Sequence, residues 1–449
     1  MSIRYLNKTI AAVLCLAALG AVPAQAAPVK PALGPFIEDG SDYDGQSKCS
    51  PYAKPGVVAF QRMVLAAYPG TGAGSISRAC SVGGTSEHKE GRAWDWGVNV
   101  GVPSQRAAAG SMLDWLADTD AYGNRAAMAR RLGVMYAIWN RRIWFPSGGW
   151  RTYCVERRGA CRDPEDGDIR HPHTDHVHFS FTWAGARKQT TFWNRRKTLA
   201  SSAVASPSGG VLVAGRNGGV MTLGPAWYHG SKSGDYLNGD VVSIETTPTG
   251  NGYWMLTSKG RVFAFGEARN RGSLKETRAA AIASTPSGKG YWILAKGGRV
   301  APFGDALKLG SPEAGQGPFV SITPTPTGVG YWLVSGAGTV HAFGDAVHLG
   351  DARSNDAVSM TATASGLGYW LVNRAGKVQA FGDATSMGEI PGDPTSPTVA
   401  IVPSQTGAGY WLVNERGAAR AFGDAAVLRR NVSASIGFSV QDVLGSISE

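Results

Sequence analysis

Two short stretches of this chain carry side chains that could bind a divalent metal ion. Residues 86–95 read Ser-Glu-His-Lys-Glu-Gly-Arg-Ala-Trp-Asp, and residues 173–178 read His-Thr-Asp-His-Val-His. A catalytic zinc site commonly takes three histidine or carboxylate ligands and keeps one coordination position for water. His88, Asp95 and one histidine of the second stretch meet this requirement, so the pattern predicts a hydrolytic metal centre.

Both stretches are predicted to lie on strands or turns that can meet in one cleft. Residues two apart on a β-strand face the same side, so His176 and His178 can point together. Gly91 separates His88 from Asp95, which suits a ligand on a turn followed by a ligand on a strand. The positions are therefore compatible with a single site.

The segment 86–95 matches the pattern Ser-x-His-x-x-Gly-x-Ala-x-Asp at every fixed position. It thereby resembles the zinc D-alanyl-D-alanine carboxypeptidase and endopeptidase family. The wider LAS-type group includes lysostaphin-type enzymes and D-Ala-D-Ala dipeptidases, which bind zinc and cleave peptides of bacterial cell walls. This resemblance implies a Zn²⁺ cofactor held by His88, Asp95 and His178.

The same resemblance implies roles for three further residues. Asp175 takes the place of the acidic residue three positions before the last ligand, and we predict it as the general base. His176 would steady the oxyanion beside the zinc, and the two roles could be exchanged. Arg78 matches in relative position an arginine with which related enzymes hold a substrate carboxylate or polarise the scissile carbonyl.

Neighbouring polar residues have more ordinary interpretations. Ser86 is predicted to hydrogen-bond within a turn, because no histidine and carboxylate pair is placed to make it a nucleophile. Glu87, Lys89 and Glu90 are predicted to be solvated. His171 and His173 are interpreted together as loop residues.

The first 26 residues read as a secretory signal peptide. Arg4 and Lys8 precede an apolar run from Ile10 to Val22, and the small-residue sequence at 24–26 suits cleavage. No other stretch has the length of a transmembrane helix, so we predict a secreted or cell-wall-associated protein without a membrane span.

The cysteines agree with export. Loss of the signal removes Cys15 and leaves an even number, which predicts two disulfides in an oxidising compartment. Three connectivities are possible, and proximity favours Cys49 with Cys80 and Cys154 with Cys161.

The formal net charge of +11 predicts attraction to polyanions. Outside a bacterium these would be anionic wall polymers. The basic residues are scattered and no recognition motif accompanies them, so nucleic acid is not an expected partner.

Residues 27–196 are predicted to form an α+β domain of ordinary size. Apolar spacing predicts helices over 57–67, 103–116 and 125–132. Strands are predicted over 93–98, 135–139, 143–145 and 177–183.

Residues 197–449 are predicted to form an all-β propeller of six, possibly seven, blades. Gly-Tyr-Trp recurs at Gly252, Gly290, Gly330, Gly368 and Gly409, and a Phe-Gly landmark recurs at Phe265, Phe303, Phe343, Phe381 and Phe422. A degenerate copy near residue 210 precedes them. A period near forty residues with three or four short strands is typical of propeller blades. The repeats resemble those of secreted actinobacterial proteins.

Two repeated side chains have expected roles. The tryptophans of Gly-Tyr-Trp are predicted to fill equivalent layers between blades. The acidic residues after Phe-Gly are predicted to satisfy turn groups rather than to bind calcium or glycans.

The expectation is therefore a multidomain secreted zinc metallopeptidase that hydrolyses peptide bonds in peptidoglycan stems or cross-links, with a propeller for wall binding or positioning. The alternatives are a non-catalytic wall-binding protein and an adhesion or scaffold protein.

Overall fold

In the computed structural model, the N-terminal domain is built on one antiparallel sheet of five strands with helices against one face. The structure describes residues 26–431 apart from 42, 154–171, 236, 276–277, 353–354 and 391–395. The elements are α1 (Pro55–Ala67), a 3₁₀ turn (Glu87–Glu90), β1 (Ala93–Gly97), α2 (Pro103–Ala117), α3 (Ala127–Leu132), β2 (Val134–Trp139), β3 (Arg142–Phe145), β4 (Gly149–Thr152), β5 (His176–Phe181), α4 (Trp183–Ala186) and a second 3₁₀ turn (Arg195–Thr198).

Strand β5 lies in the interior of the sheet although it comes last in sequence. The strand order is β1-β5-β2-β3-β4. The apolar side chains of β5 face the helices. The Phe60 ring of α1 lies 5.2 Å from the Phe179 ring and 5.1 Å from the Phe181 ring. Alternation along the strand turns His176 and His178 to the other face, so the packing of β5 sets the direction of the predicted site.

The predicted helices and strands of this domain are present with small shifts at their ends. Strand β4 and the short helix α4 were not predicted. Strand β4 has no run of apolar residues and no buried position, so the periodicity that marks the other strands is absent from it.

The remaining strands form six antiparallel sheets of three strands each, a propeller-type architecture. Their bounds in chain order are β6 (Ala200–Ala205), β7 (Val211–Gly215), β8 (Val220–Leu223); β9 (Val241–Thr246), β10 (Gly252–Thr257), β11 (Val262–Gly266); β12 (Ala279–Ser284), β13 (Tyr291–Ala295), β14 (Val300–Phe303); β15 (Phe319–Pro324), β16 (Gly330–Ser335), β17 (Val340–Gly344); β18 (Ala357–Ala362), β19 (Gly368–Asn373), β20 (Val378–Gly382); β21 (Thr398–Pro403), β22 (Gly409–Asn414), β23 (Ala419–Gly423).

The first strands of the six sheets surround a central channel. Each first strand contacts the first strand of the next sheet, and β21 contacts β6. The ring therefore closes with six sheets, and no room remains for a seventh between β21 and β6.

The Gly-Tyr-Trp repeat ties neighbouring blades together. The Trp332 ring lies 5.8 Å from the Tyr369 ring of the next blade, and three other pairs repeat this contact at 5.6–5.8 Å. The Tyr331 hydroxyl donates to the Gly310 carbonyl at 2.6 Å, and Trp332 Nε1 donates to the Val347 carbonyl at 2.7 Å. The buried rings fill layers between blades, as the sequence predicts.

The repeated acidic residues bind turns within their own blades. Asp345 accepts hydrogen bonds from the hydroxyls of Thr325 (2.8 Å) and Thr327 (2.5 Å). The same arrangement holds at Asp305, Asp383 and Asp424. Hydroxyl groups of the turn occupy both carboxylate oxygens, which agrees with the predicted structural role.

A junction segment, residues 34–39, lies between the two domains. The Phe36 side chain is part of the propeller core, whereas Ile37 is part of the core of the N-terminal domain. Arg131 donates to the carbonyls of Gly34 (2.7 Å) and Phe36 (2.9 Å). The junction segment thus contributes to both cores at once.

Some predictions fall on residues that the structure does not describe. They are the signal sequence up to residue 25, Cys154, Cys161 and His171. Among the described residues, no helix combines the length and apolar character needed to cross a membrane.

Candidate metal centre

Three predicted ligands meet at the base of a cleft beside the sheet. Asp95 on β1 lies directly opposite His178 on β5, and His88 comes from the 3₁₀ turn before β1. Asp95 Oδ1 lies 2.9 Å from His178 Nδ1 and 3.1 Å from His88 Nε2, and the two ring nitrogens are 3.3 Å apart. The structure therefore places the three predicted ligands next to one another.

The spacing of these atoms fits a zinc ion. Zinc bonds nitrogen and oxygen at about 2.0–2.2 Å with tetrahedral angles, which puts neighbouring ligand atoms roughly 3.3 Å apart. The three observed separations are close to this value. Among the described residues, His88, Asp95 and His178 form a cluster that could hold a metal ion.

Hydrogen bonds orient both histidine rings toward that point. His88 Nδ1 lies 3.0 Å from the Ile76 carbonyl, which leaves the Nε2 lone pair of a neutral ring for a metal. His178 Nε2 lies 2.9 Å from Ser180 Oγ, and this leaves Nδ1 directed at Asp95. Each ring is therefore held with its metal-binding nitrogen inward.

A buried carboxylate stands behind His178. Ser180 Oγ donates to Glu87 Oε2 at 3.4 Å, and the Tyr136 hydroxyl donates to the same oxygen at 2.8 Å. The Tyr136 ring also stacks on the His178 ring, with centroids 5.7 Å apart. Glu87, Ser180 and Tyr136 thus form a supporting network for His178.

The prediction that Glu87, Lys89 and Glu90 are solvated is wrong. Glu87 is 3% exposed, Lys89 donates to the Gly83 carbonyl, and Glu90 pairs with the buried Arg92 at 2.6 Å. The 3₁₀ turn is covered by neighbouring chain, which polarity alone does not reveal. The one sequence feature that could have indicated the burial of Glu87 is its position directly before the predicted ligand His88.

Other residues near the turn behave as predicted. Ser86 Oγ accepts a hydrogen bond from the His88 amide at 3.4 Å. His173 lies outside regular structure before β5, with its ring 4.8 Å from the His176 ring.

The charges at the site suit metal binding. Burial alone raises the pKa of the Asp95 carboxyl, but the adjacent His178 and His88 rings outweigh it and lower that pKa. Burial lowers the pKa of the His178 ring more than the Asp95 carboxylate raises it. An ionised carboxylate beside a neutral imidazole is the state in which both groups bind metal.

Asp175 and His176 form a pair at the edge of the site. Asp175 Oδ1 lies 2.8 Å from His176 Nδ1, and His176 Nε2 lies 3.6 Å from Asp95 Oδ1. The side chain of Asp175 is 76% exposed, compared with 29% for His176. His176 therefore faces the three candidate ligands, whereas Asp175 contacts the far side of its ring.

Arg78 lines the same cleft, which encloses about 690 Å³. Its amide donates to the His88 carbonyl at 3.1 Å. The predicted disulfide Cys49–Cys80 is present and ties this wall of the cleft to the segment before α1. The structure thus brings all six predicted site residues to one cleft.

Comparison with known protein families gives a match over part of the N-terminal domain. A family model described as VldE, C-terminal domain, matches residues 49–163. The matched segment includes His88 and Asp95 and ends before His178. No curated protein matches the chain at a significant level.

Among solved structures, the chain is similar to the β-propeller domain of Cps50 (Swd1) from Myceliophteria thermophila. The identity is 13%, the TM-score is 0.36, and the match covers 50% of this chain and 83% of that chain. The propeller-type architecture rests on the strand pairing and ring closure described above rather than on this likeness. The resemblance to zinc peptidases remains a prediction.

Proposed function

We propose that this protein is a secreted zinc metallopeptidase that hydrolyses peptide bonds in peptidoglycan stem or cross-link peptides. The observation that carries the proposal is the triangle of His88 Nε2, Asp95 Oδ1 and His178 Nδ1, with sides of 2.9–3.3 Å. The motif of residues 86–95 supports the substrate class by its resemblance.

Zinc bound by these ligands would supply a Lewis acid that polarises a carbonyl and makes water more acidic. We assign proton transfer to His176, because its Nε2 atom faces the ligands while Asp175 contacts Nδ1. A neutral His176 would take a proton from the attacking water and pass it to the leaving amine. Asp175 would orient the ring and stabilise its charged form. This assignment gives His176 the general-base role first predicted for Asp175.

Arg78 would bind a substrate carboxylate or the scissile carbonyl from the wall of the cleft. The propeller would position the cleft on the wall, where the basic surface would favour anionic polymers. We expect the protein to act outside the cell, in accord with the predicted signal sequence and with the disulfide.

The test is digestion of purified peptidoglycan by the zinc-loaded protein, with released fragments identified by mass spectrometry. We expect peptide cleavage by the wild type and by His348→Ala, which removes a propeller histidine outside the cleft. We expect none from His88→Ala. Cleavage that survives His88→Ala would refute the proposed site.

A different outcome would favour the wall-binding alternative. A wild-type protein that holds one zinc ion and sediments with purified walls, yet leaves every muropeptide intact, would be a recognition protein. The same digestion and a zinc assay therefore separate the two classes.

A further inference from the structure

A second cavity lies between the two domains, and we call it the interdomain crevice. It encloses about 460 Å³ between residues 38–41 and Asp44, the ends of α3 and α4, and the propeller loop 231–235. It shares no lining residue with the metal cleft. Cavities between domains are frequent binding sites for small ligands.

A buried cation with a spare hydrogen-bond donor lies in the wall of the crevice. Arg130 is 6% exposed, its Nε donates to the Glu38 carbonyl at 2.7 Å, and its Nη1 donates to the Arg125 carbonyl at 3.3 Å. Its Nη2 atom is buried and has no hydrogen-bond partner among the described residues. A buried donor without a partner costs free energy, and more so when the group is charged. A ligand oxygen would remove that cost.

The other polar groups of the crevice include both donors and acceptors. Lys232 pairs with Asp235 at 2.9 Å, and Ser231 donates to the Asp39 carboxylate. Gln189 adds an amide to the lining. Cations and carboxylates both line the crevice, so its charge matches neither a polyanion nor a polycation. Hydroxyl groups both donate and accept hydrogen bonds, and a saccharide therefore suits this lining.

The position of the crevice connects it to the metal cleft. Tyr43 lines the metal cleft, and its neighbour Asp44 lines the crevice. The two cavities are thus lined by consecutive residues of the chain. A substrate with a peptide branch on a sugar chain could occupy both.

We propose that the interdomain crevice binds a sugar unit of the glycan strand whose peptide lies in the metal cleft. The peptide part of this statement rests on the proposed function, but binding of sugar to the crevice can be measured without any cleavage.

The test is calorimetric titration of the full-length protein with two peptide-free probes, N-acetylglucosamine tetramers and glycan strands stripped of peptides. We expect saturable binding of at least one probe by the wild type and unchanged affinity in His88→Ala. Arg130→Lys keeps the charge but loses the Nη2 donor, and we expect its affinity to fall by at least tenfold.

A second variant tests the crevice independently, in case Arg130→Lys does not fold. Ala184 lines the crevice on α4, and Ala184→Trp should fill the crevice and abolish binding. Ala107→Trp, at an exposed position of α2, is the matched control and should bind normally. Absence of binding to both probes, or full affinity in Ala184→Trp, would overturn the crevice site. Failure of peptide cleavage with intact sugar binding would count against the proposed function alone.

Discussion

Ser180 is the residue that connects the candidate metal ligand His178 to a buried carboxylate. Its hydroxyl lies between His178 Nε2 and Glu87 Oε2. Partners of this kind fix the tautomer and the direction of a metal-binding histidine. The strength of metal binding should therefore depend on a side chain that cannot touch the metal.

We expect Ser180→Ala to weaken zinc binding by about 10–100-fold, the usual effect of losing such a partner. The measurement is competition against a chelator of known zinc affinity. Ser111→Ala is the control, because Ser111 accepts a hydrogen bond from the buried Tyr68 hydroxyl away from the cleft. Equal zinc affinity in both variants would show that Ser180 does not position His178.

The roles of His176 and Asp175 can be separated by kinetics. Loss of a general base commonly lowers kcat by about 10²–10⁴, and we expect this of His176→Ala with zinc still bound. Asp175→Asn should have a smaller effect, because the amide oxygen can still accept from His176 Nδ1. A larger loss in Asp175→Asn than in His176→Ala would return the base role to Asp175.

At the scale of the element, the glycine of Gly-Tyr-Trp is required by the acidic residue at the end of the same blade. A Cβ on Gly330 would lie 2.1 Å from Asp345 Oδ1 and 2.6 Å from the Ala346 amide. Equivalent contacts of 2.3–2.6 Å occur at Gly290, Gly368 and Gly409. In each of these blades, the glycine therefore leaves space for the carboxylate that binds the turn between the first two strands.

We expect Gly330→Ala to destabilise the protein by about 1–3 kcal/mol, the usual cost of overpacking. Urea unfolding measures the change. Gly336→Ala in the same blade is the control, since a Cβ there meets nothing nearer than 3.6 Å. Similar unfolding curves for both variants would contradict this account of the repeat.

The sequence predicts those features that depend on a local motif, a repeat period or the proximity of two residues in the chain. The clustering of His88, Asp95 and His178, the Gly-Tyr-Trp strands and the disulfide Cys49–Cys80 could all be predicted, because motif, period and proximity each restrict the answer. Burial of Glu87 could not, since it depends on chain folding over the 3₁₀ turn from elsewhere. The interior position of β5 in its sheet and the junction segment were also beyond prediction, because both arise from contacts distant in sequence.

At the scale of the whole molecule, six blades create an environment that no single blade has. Glu245 is the one charged residue among the described residues that line the central channel. The other first strands place Val204, Ala283, Thr323, Thr361 and Val402 at the corresponding position. Burial in the channel wall raises the pKa of Glu245 to about 8, although a hydrogen bond from the Ser284 backbone opposes the rise.

This raised pKa predicts a loss of stability as pH increases. The folded protein holds the Glu245 proton up to about pH 8, whereas the unfolded chain releases it near the ordinary glutamate pKa of 4.5. Between these values the unfolded state binds fewer protons, so the free energy of unfolding falls with rising pH. Urea unfolding measures the free energy of unfolding of the wild type and of Glu245→Gln. The stability of the wild type relative to Glu245→Gln should be constant below about pH 4.5 and should fall between about pH 4.5 and pH 8. Parallel pH profiles would contradict the prediction.

The placement of Phe36 has a practical consequence for dissecting this protein. A propeller fragment that begins at residue 197 would lack the Phe36 ring, which belongs to the same core cluster as Val213 and Met221. Loss of a buried aromatic side chain typically lowers the free energy of unfolding by about 3–5 kcal/mol. The truncated propeller would therefore be destabilised, and its failure to bind walls would not test the targeting role. Sound dissection keeps residues from 34 onward attached, or supplies that peptide in trans, and treats the two modules as one folding unit.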